Sequence, residues 1–187
     1  METKLLSLPE NDSEVRYVLG KKGKRNLLAI CLNPSTANAF KHDGTTNNVE
    51  KIAKANGYDG WVLFNVSPQR TPHPNDLPLE ENEAVLIKNV NLLDDFILKN
   101  EFQISDVLLA WGNTITSFQH PYLIKYAAFI LERLKKHELN YWCIKLTAKQ
   151  HPFHPAAQAI NRYVGPVEDI VLQPFNTVSY LKRIAYK

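Results

Sequence analysis

Leu27-Leu28-Ala29-Ile30-Cys31-Leu32-Asn33-Pro34-Ser35-Thr36 is the stretch that decides the fold: an unbroken apolar run that changes abruptly to amide, proline and hydroxyl side chains. A run this short, apolar at every position rather than at alternate ones, reads as a β-strand covered on both faces. Residues 61–66, 107–111 and 141–146 repeat the pattern. Helical periodicities fill the gaps. Residues 47–56 close on Gly57, and residues 80–98 place Ala84, Ile87, Leu92 and Phe96 at helical spacings behind an acidic first turn. Residues 122–136 line up Leu123, Tyr126, Ala127, Ile130 and Leu134, with Lys135 and Lys136 suiting the C-terminal dipole. A fourth helix is expected from near Pro155, and Asn176 is placed to cap a last one running to Ile184.

Strands alternating with helices predict an open α/β sheet with helices on both faces. The expected architecture is one α/β domain over residues 1–187, a three-layer α/β/α stack around a central, mostly parallel four-stranded sheet. An N-terminal hairpin strand at 14–19 is expected to pair with 27–32 across the turn at 20–25, leaving 1–13 peripheral.

Composition supports a packed core: 187 residues, 44% hydrophobic and 22% charged, exclude a disordered tail, a collagen repeat and a disulfide-stapled miniprotein. The net charge of +3 neither demands nor forbids a polyanionic partner. Its distribution is uneven, with basic ends and an acidic middle. Cys31 and Cys143 sit inside apolar runs, where a thiol behaves as a small hydrophobe in a reducing compartment. No segment approaches a membrane span and the first residues lack the order of a secretion signal, so a cytoplasmic protein with no membrane partner is expected.

In open α/β sheets ligands bind beyond the carboxyl ends of the strands. Four exits are polar. The first runs through Asn33, Pro34, Ser35 and Thr36 to Asp43, Gly44, Thr45 and Thr46, and the second through Asn65, Ser67 and Gln69 to Arg70 and Thr71. The third ends in Gly112, Asn113 and Thr114, and the fourth reaches His151-Pro152-Phe153-His154-Pro155. Prolines stiffen these loops by fixing their own φ and biasing the preceding residue to extended geometry. Preset amides, hydroxyls and imidazoles with few charges suit the edge of a flat polar molecule such as a nucleobase. There is no GxGxxG, GxxxxGK[ST] or GxSxG, and the HxxH at 151–154 has a proline inside it and no suitably spaced third ligand, so neither a metal nor a cofactor is expected. Asp43 reads first as a helix cap, with sugar or phosphate contact by Asp43 and Thr45 as the second reading. The 21–25 basic run reads as a solvated hairpin tip.

The blocks LNPSTA, a following D-x-T, FNVSPQRTPHP, AWGN and HPFHPAA resemble a bacterial and phage domain family of unknown function from Val15 onward. More distantly, the same order of blocks resembles the uracil-DNA glycosylase superfamily. That resemblance implies catalytic roles for Asn33, as the residue orienting the attacking water, and for His151 or His154, as the donor to the base oxygen. It implies that Asn65 reads the base edge, with stacking from Phe64 or Phe40. Pro34, Ser35, Thr36, Arg70 and Asn113, on the polar strand exits, are read as further base or ligand contacts, with phosphate contact or a plain surface side chain as the readings of Arg70. The implied partner is nucleic acid or a free nucleotide, and the implied chemistry hydrolysis of an N-glycosidic bond, which a stationary donor at the base oxygen favours in the transition state. The sequence departs from the pattern at Asn33, where an amide replaces a carboxylate and cannot act as a general base. A non-catalytic module that captures a nucleotide or modified base is therefore the alternative.

Overall fold

The computed structural model describes residues 5–10 and 12–185. Seven strands form one sheet: β1 (Leu6–Leu8), β2 (Val18–Lys21), β3 (Asn26–Cys31), β4 (Gly60–Asn65), β5 (Asp106–Leu109), β6 (Asn140–Cys143) and β7 (Gln173–Pro174). Their spatial order is β1-β2-β4-β3-β5-β6-β7. The inner four, β4, β3, β5 and β6, are mutually parallel, and antiparallel β2 and β7 flank them. The expected parallel quartet is thus present inside a wider sheet.

One expectation is corrected. The N-terminal strand does not pair with β3: β2 lies antiparallel to β4, with Leu19 opposite Leu63. Strand β3 has no vacant edge, because β4 and β5 occupy its two sides along almost its whole length. Within the segment expected to be peripheral, Leu6–Leu8 forms the edge strand of the sheet, paired to β2, while residues 1–4 and 11 lie outside the described residues.

Among the described residues five α-helices cover the sheet: α1 (Gly44–Ala55), α2 (Glu83–Leu98), α3 (Tyr122–Leu134), α4 (Ala157–Tyr163) and α5 (Thr177–Ala185). Side chains of β3 alternate between two cores, which is why every position of the run is apolar. Leu28, Ile30 and Leu32 pack with α2, α3 and α5, whereas Leu27, Ala29 and Cys31 pack with α1 and α4. Each fully buried Leu or Ile contributes on the order of 1.5–3 kcal/mol of transfer free energy.

Helix α1 starts earlier than its apolar period suggests because Asp43 caps it, accepting from the Thr46 amide while the Thr46 hydroxyl accepts from the Asp43 amide. It ends at Asn56, followed by Gly57 at φ +79°, a left-handed conformation that favours glycine. Helix α2 buries Leu86, Val90, Leu93 and Ile97 rather than the expected Ala84, Ile87, Leu92 and Phe96. It is apolar on several sides, and buried Asn89, donating to the Asn65 carbonyl at 2.8 Å, fixes which side faces the sheet. Helix α3 buries the expected face, and Asn176 caps α5 by accepting from the Ser179 amide at 2.8 Å.

Candidate functional site

Strand order reverses at β3. The chain leaves it through α1 to β4 on one side, then returns through α2 to β5 on the other. Such a switch point opens a crevice between the carboxyl ends of the two strands. A cleft of about 410 Å³ stands there, within the usual range for small-molecule sites. Its walls are the β3 exit (Leu32, Asn33, Ser35), the start of α1 (Asp43, Gly44, Thr45), the β5 exit (Trp111 to Thr114) and His154 with Ala156 and Ala157. Thr71, Pro72 and Pro74 close the remaining side. Among the described residues, Asp43 is the only acidic side chain on these walls, and no Lys or Arg lines them. A hollow of about 480 Å³ between α1 and β4 is bordered by Lys21, Glu50, Lys51, Lys54 and Asp59 and lies away from these polar exits.

The cleft thus gathers Asn33, Ser35, Asp43, Thr45, Asn113 and His154 from the expected set, and adds Thr71 and Thr114. Asn33 is held by its amide nitrogen, which donates to Thr71 Oγ1 at 2.9 Å, Thr71 O at 3.2 Å and Pro34 O at 3.0 Å. Its donors are spent on the protein, so acceptance by Oδ1 is what it can still offer a ligand or water. Asp43 is engaged through both oxygens: Oδ1 accepts from the Thr46 amide at 2.9 Å and Oδ2 from the Ala37 amide at 3.4 Å.

His154 is fixed from two directions. The Ala156 amide donates to its Nδ1 at 3.1 Å, so Nδ1 is unprotonated and the ring proton sits on Nε2. Gly112 presses against its other side. Its backbone, at φ +73° and ψ −169°, is in a region other residues avoid, and a Cβ there would come within 2.9 Å of His154 Cβ. Burial pushes the His154 imidazole down to about 4, with the Asp43 charge partly opposing. At neutral pH it is an uncharged donor.

The expected His151 lies elsewhere. It is 1% exposed, and its Nδ1 is 2.8 Å from the Tyr180 hydroxyl, which also accepts from Trp111 Nε1 at 2.9 Å. Pro152 and Pro155 turn the loop so that His151 joins the α5 face and His154 the cleft. Burial pushes the Tyr180 phenol up to about 12, consistent with a structural hydroxyl. No local signal distinguishes the two histidines, because Tyr180 arrives from a distant helix.

Other expected contacts are displaced too. Phe64 is fully buried, edge-to-face with Phe96 at 5.4 Å on the α2 side, and has no face to offer a base. Phe40 is 69% exposed near a bridge between Asn38 and Lys41, off the cleft wall. Thr36 is exposed outside it, and Pro34 is buried and accepts from Asn33 and from the Thr71 amide. Asn65 is 1% exposed, and neither amide atom has a hydrogen-bond partner. In the register it pairs with Cys31 and shares the α1 side with it, behind the cleft. Arg70 is half-buried there as well, its Nη2 donating to the Ala37 carbonyl at 3.1 Å.

Arg16 was not anticipated from the sequence. Only 2% exposed, it donates from Nη1 to the same Ala37 carbonyl at 2.5 Å. A lone arginine before a strand carries no sequence signal of such burial. Cys31 is buried beside it, and burial raises its thiol far above the usual range, which removes it as a nucleophile.

Among the described residues no helix is long and apolar enough to cross a membrane. A family model described as "Protein of unknown function (DUF1643)" matches residues 16–156. No curated protein and no solved structure matches the chain.

Proposed function

We propose, for a chain that belongs to the DUF1643 family of proteins of unknown function, that the switch-point cleft binds a nucleobase carried on a nucleotide or nucleic acid. The observation that carries this reading is the neutral His154, its Nδ1 held by a backbone amide, in one cleft with Asn33, Asn113 and threonine hydroxyls. A nucleobase presents exocyclic oxygens, ring nitrogens and N–H groups at fixed angles, and a wall of immobilised donors and acceptors complements it without the cost of ordering side chains on binding. His154, rather than His151, donates to a base oxygen. Asn33 accepts through Oδ1 from a water or from the ligand. Asn65 stays out of base contact, since it lies off the cleft wall.

The same arrangement supports glycosidic-bond hydrolysis of the uracil-DNA-glycosylase-like kind. Charge developing on the departing base meets a donor already in place, which lowers the barrier selectively. A base within a duplex would first have to leave the stack. A second reading, non-catalytic capture, is favoured by one feature: the water-orienting position is the amide of Asn33, and both oxygens of neighbouring Asp43 already hold backbone amides. The test is a panel of nucleosides, nucleotides and single- and double-stranded oligonucleotides scored for thermal shift and release of free base. Binding with base release, lost in His154→Asn, supports the hydrolase. Saturable binding without release supports capture, and no shift with any member removes both.

A further inference from the structure

Beside the cleft, two arginines meet in an arrangement that the nucleobase reading does not use. Arg16 Nη1 and Arg70 Nη2 converge on one acceptor, the carbonyl of Ala37, at 2.5 and 3.1 Å. Among the described residues neither guanidinium is ion-paired. The acids that feel them, Asp12 beside Arg70 and Asp43 beside Arg16, stand beyond ion-pair distance. Arg16 is 2% exposed and its Nε has no partner. A buried cation without a counter-charge is costly, and two cations sharing one neutral oxygen also repel each other. Burial and the neighbouring Arg70 together bring Arg16 down to about 10.

An independent feature points the same way. The Asn65 amide, 1% exposed and without a partner on either atom, sits on this side of the sheet beside Cys31, whose thiol senses both Arg16 and Asp43. Buried polar atoms are normally satisfied, so an orphaned amide and an orphaned guanidinium nitrogen on the same side of the sheet mark hydrogen-bonding capacity held for something else. The arginine pair is linked to the cleft through a single residue: the Ala37 carbonyl faces the arginines, and the Ala37 amide donates to Asp43 Oδ2 on the cleft wall at 3.4 Å.

We infer that Arg16 and Arg70, with the Asn65 amide, form an anion subsite that takes the phosphate of a nucleotide whose base lies in the adjoining cleft. The base half rests on the proposed function; the anion half stands on the arginines alone. Guanidinium groups suit this role through charge-assisted, often bidentate hydrogen bonds to phosphate oxygens. Arg70, the more exposed of the two, is the side from which the anion enters. The source of the phosphate, a free nucleotide or a nucleic-acid backbone, follows from salt dependence, shallow for one phosphate and steep for several.

The experiment is calorimetric titration of the full chain with inorganic phosphate, uridine, uridine 5′-monophosphate and a short single-stranded oligonucleotide, in wild type, Arg70→Ala and Arg16→Met. Phosphate should bind wild type, and Arg70→Ala should weaken that binding by about tenfold or more. Arg16→Met should do the same if it folds, and Arg70→Ala decides if it does not. Phosphate binding without nucleoside binding keeps the subsite and removes the nucleobase reading. Nucleoside binding with no phosphate affinity, unchanged in Arg70→Ala, does the reverse and overturns this inference.

Discussion

His154→Asn is the most informative single change, because Asn Oδ1 can replace Nδ1 as the acceptor for the Ala156 amide while removing the titrating ring. The His154 pKa falls from 6.5 to about 4 in the folded chain, chiefly through burial. The native state therefore binds fewer protons than the unfolded chain between these values. The associated stability is fully present above pH 6.5 and is lost as pH falls toward 4. At about 1.4 kcal/mol per unit, lowering the pH from roughly 7 to roughly 4.5 removes about 2 kcal/mol through this one residue. Urea unfolding of both proteins at closely spaced pH values isolates that contribution, since the other titrating groups are common to both. The wild-type curve should fall more steeply with acid by about 2 kcal/mol. Superimposable pH profiles, or an imidazole NMR titration with a midpoint near 6.5, would refute the buried neutral donor. Removing the opposing charge in Asp43→Asn should lower the His154 midpoint further.

Replacing Asn65 with Leu relieves two unpartnered amide atoms and should raise stability by about 1–3 kcal/mol in urea unfolding, while weakening phosphate but not nucleoside binding. Gly112→Ala forces a side chain into a backbone region other residues avoid and against His154, and should cost about 1–3 kcal/mol, read as a lower unfolding midpoint. Tyr180→Phe removes the hydroxyl shared by Trp111 and His151 and should cost about 2 kcal/mol or more, leaving ligand affinity unchanged. Asp43→Ala removes the α1 cap and should cost about 1 kcal/mol by the same measurement.

The inner sheet and the helices were legible because burial on both faces writes itself into consecutive residues, as in β3, and because α3 carries a clean apolar stripe. Short edge strands were not. Leu6–Leu8 and Gln173–Pro174 are too brief for any alternation to register, and the pairing of β2 with β4 depends on which edge the rest of the sheet leaves open. In the site, the polar exits of β3 and β5 and the second histidine of HPFHP were readable as strand-end chemistry, and they do meet in one cleft. The displaced residues share a cause, since alternation along a strand sends neighbours to opposite faces. Phe64 and Asn65 are adjacent in sequence, yet one lies in the α2 core and the other beside Cys31 on the α1 side. Arg16 itself was invisible because its burial is created by the Ala37 carbonyl, a backbone group that any residue would supply.

Backbone and imidazole NMR of the labelled chain, titrated with a panel of nucleosides and nucleotides, decides whether a planar base enters the cleft between the β3 and β5 exits, as proposed. Saturable shifts concentrated at Asn33, Ser35, Thr45, Asn113 and the His154 ring are predicted. Saturable shifts confined to another face, such as the hollow beside Tyr180 and Arg183, or no shifts with any member of the panel, would contradict it.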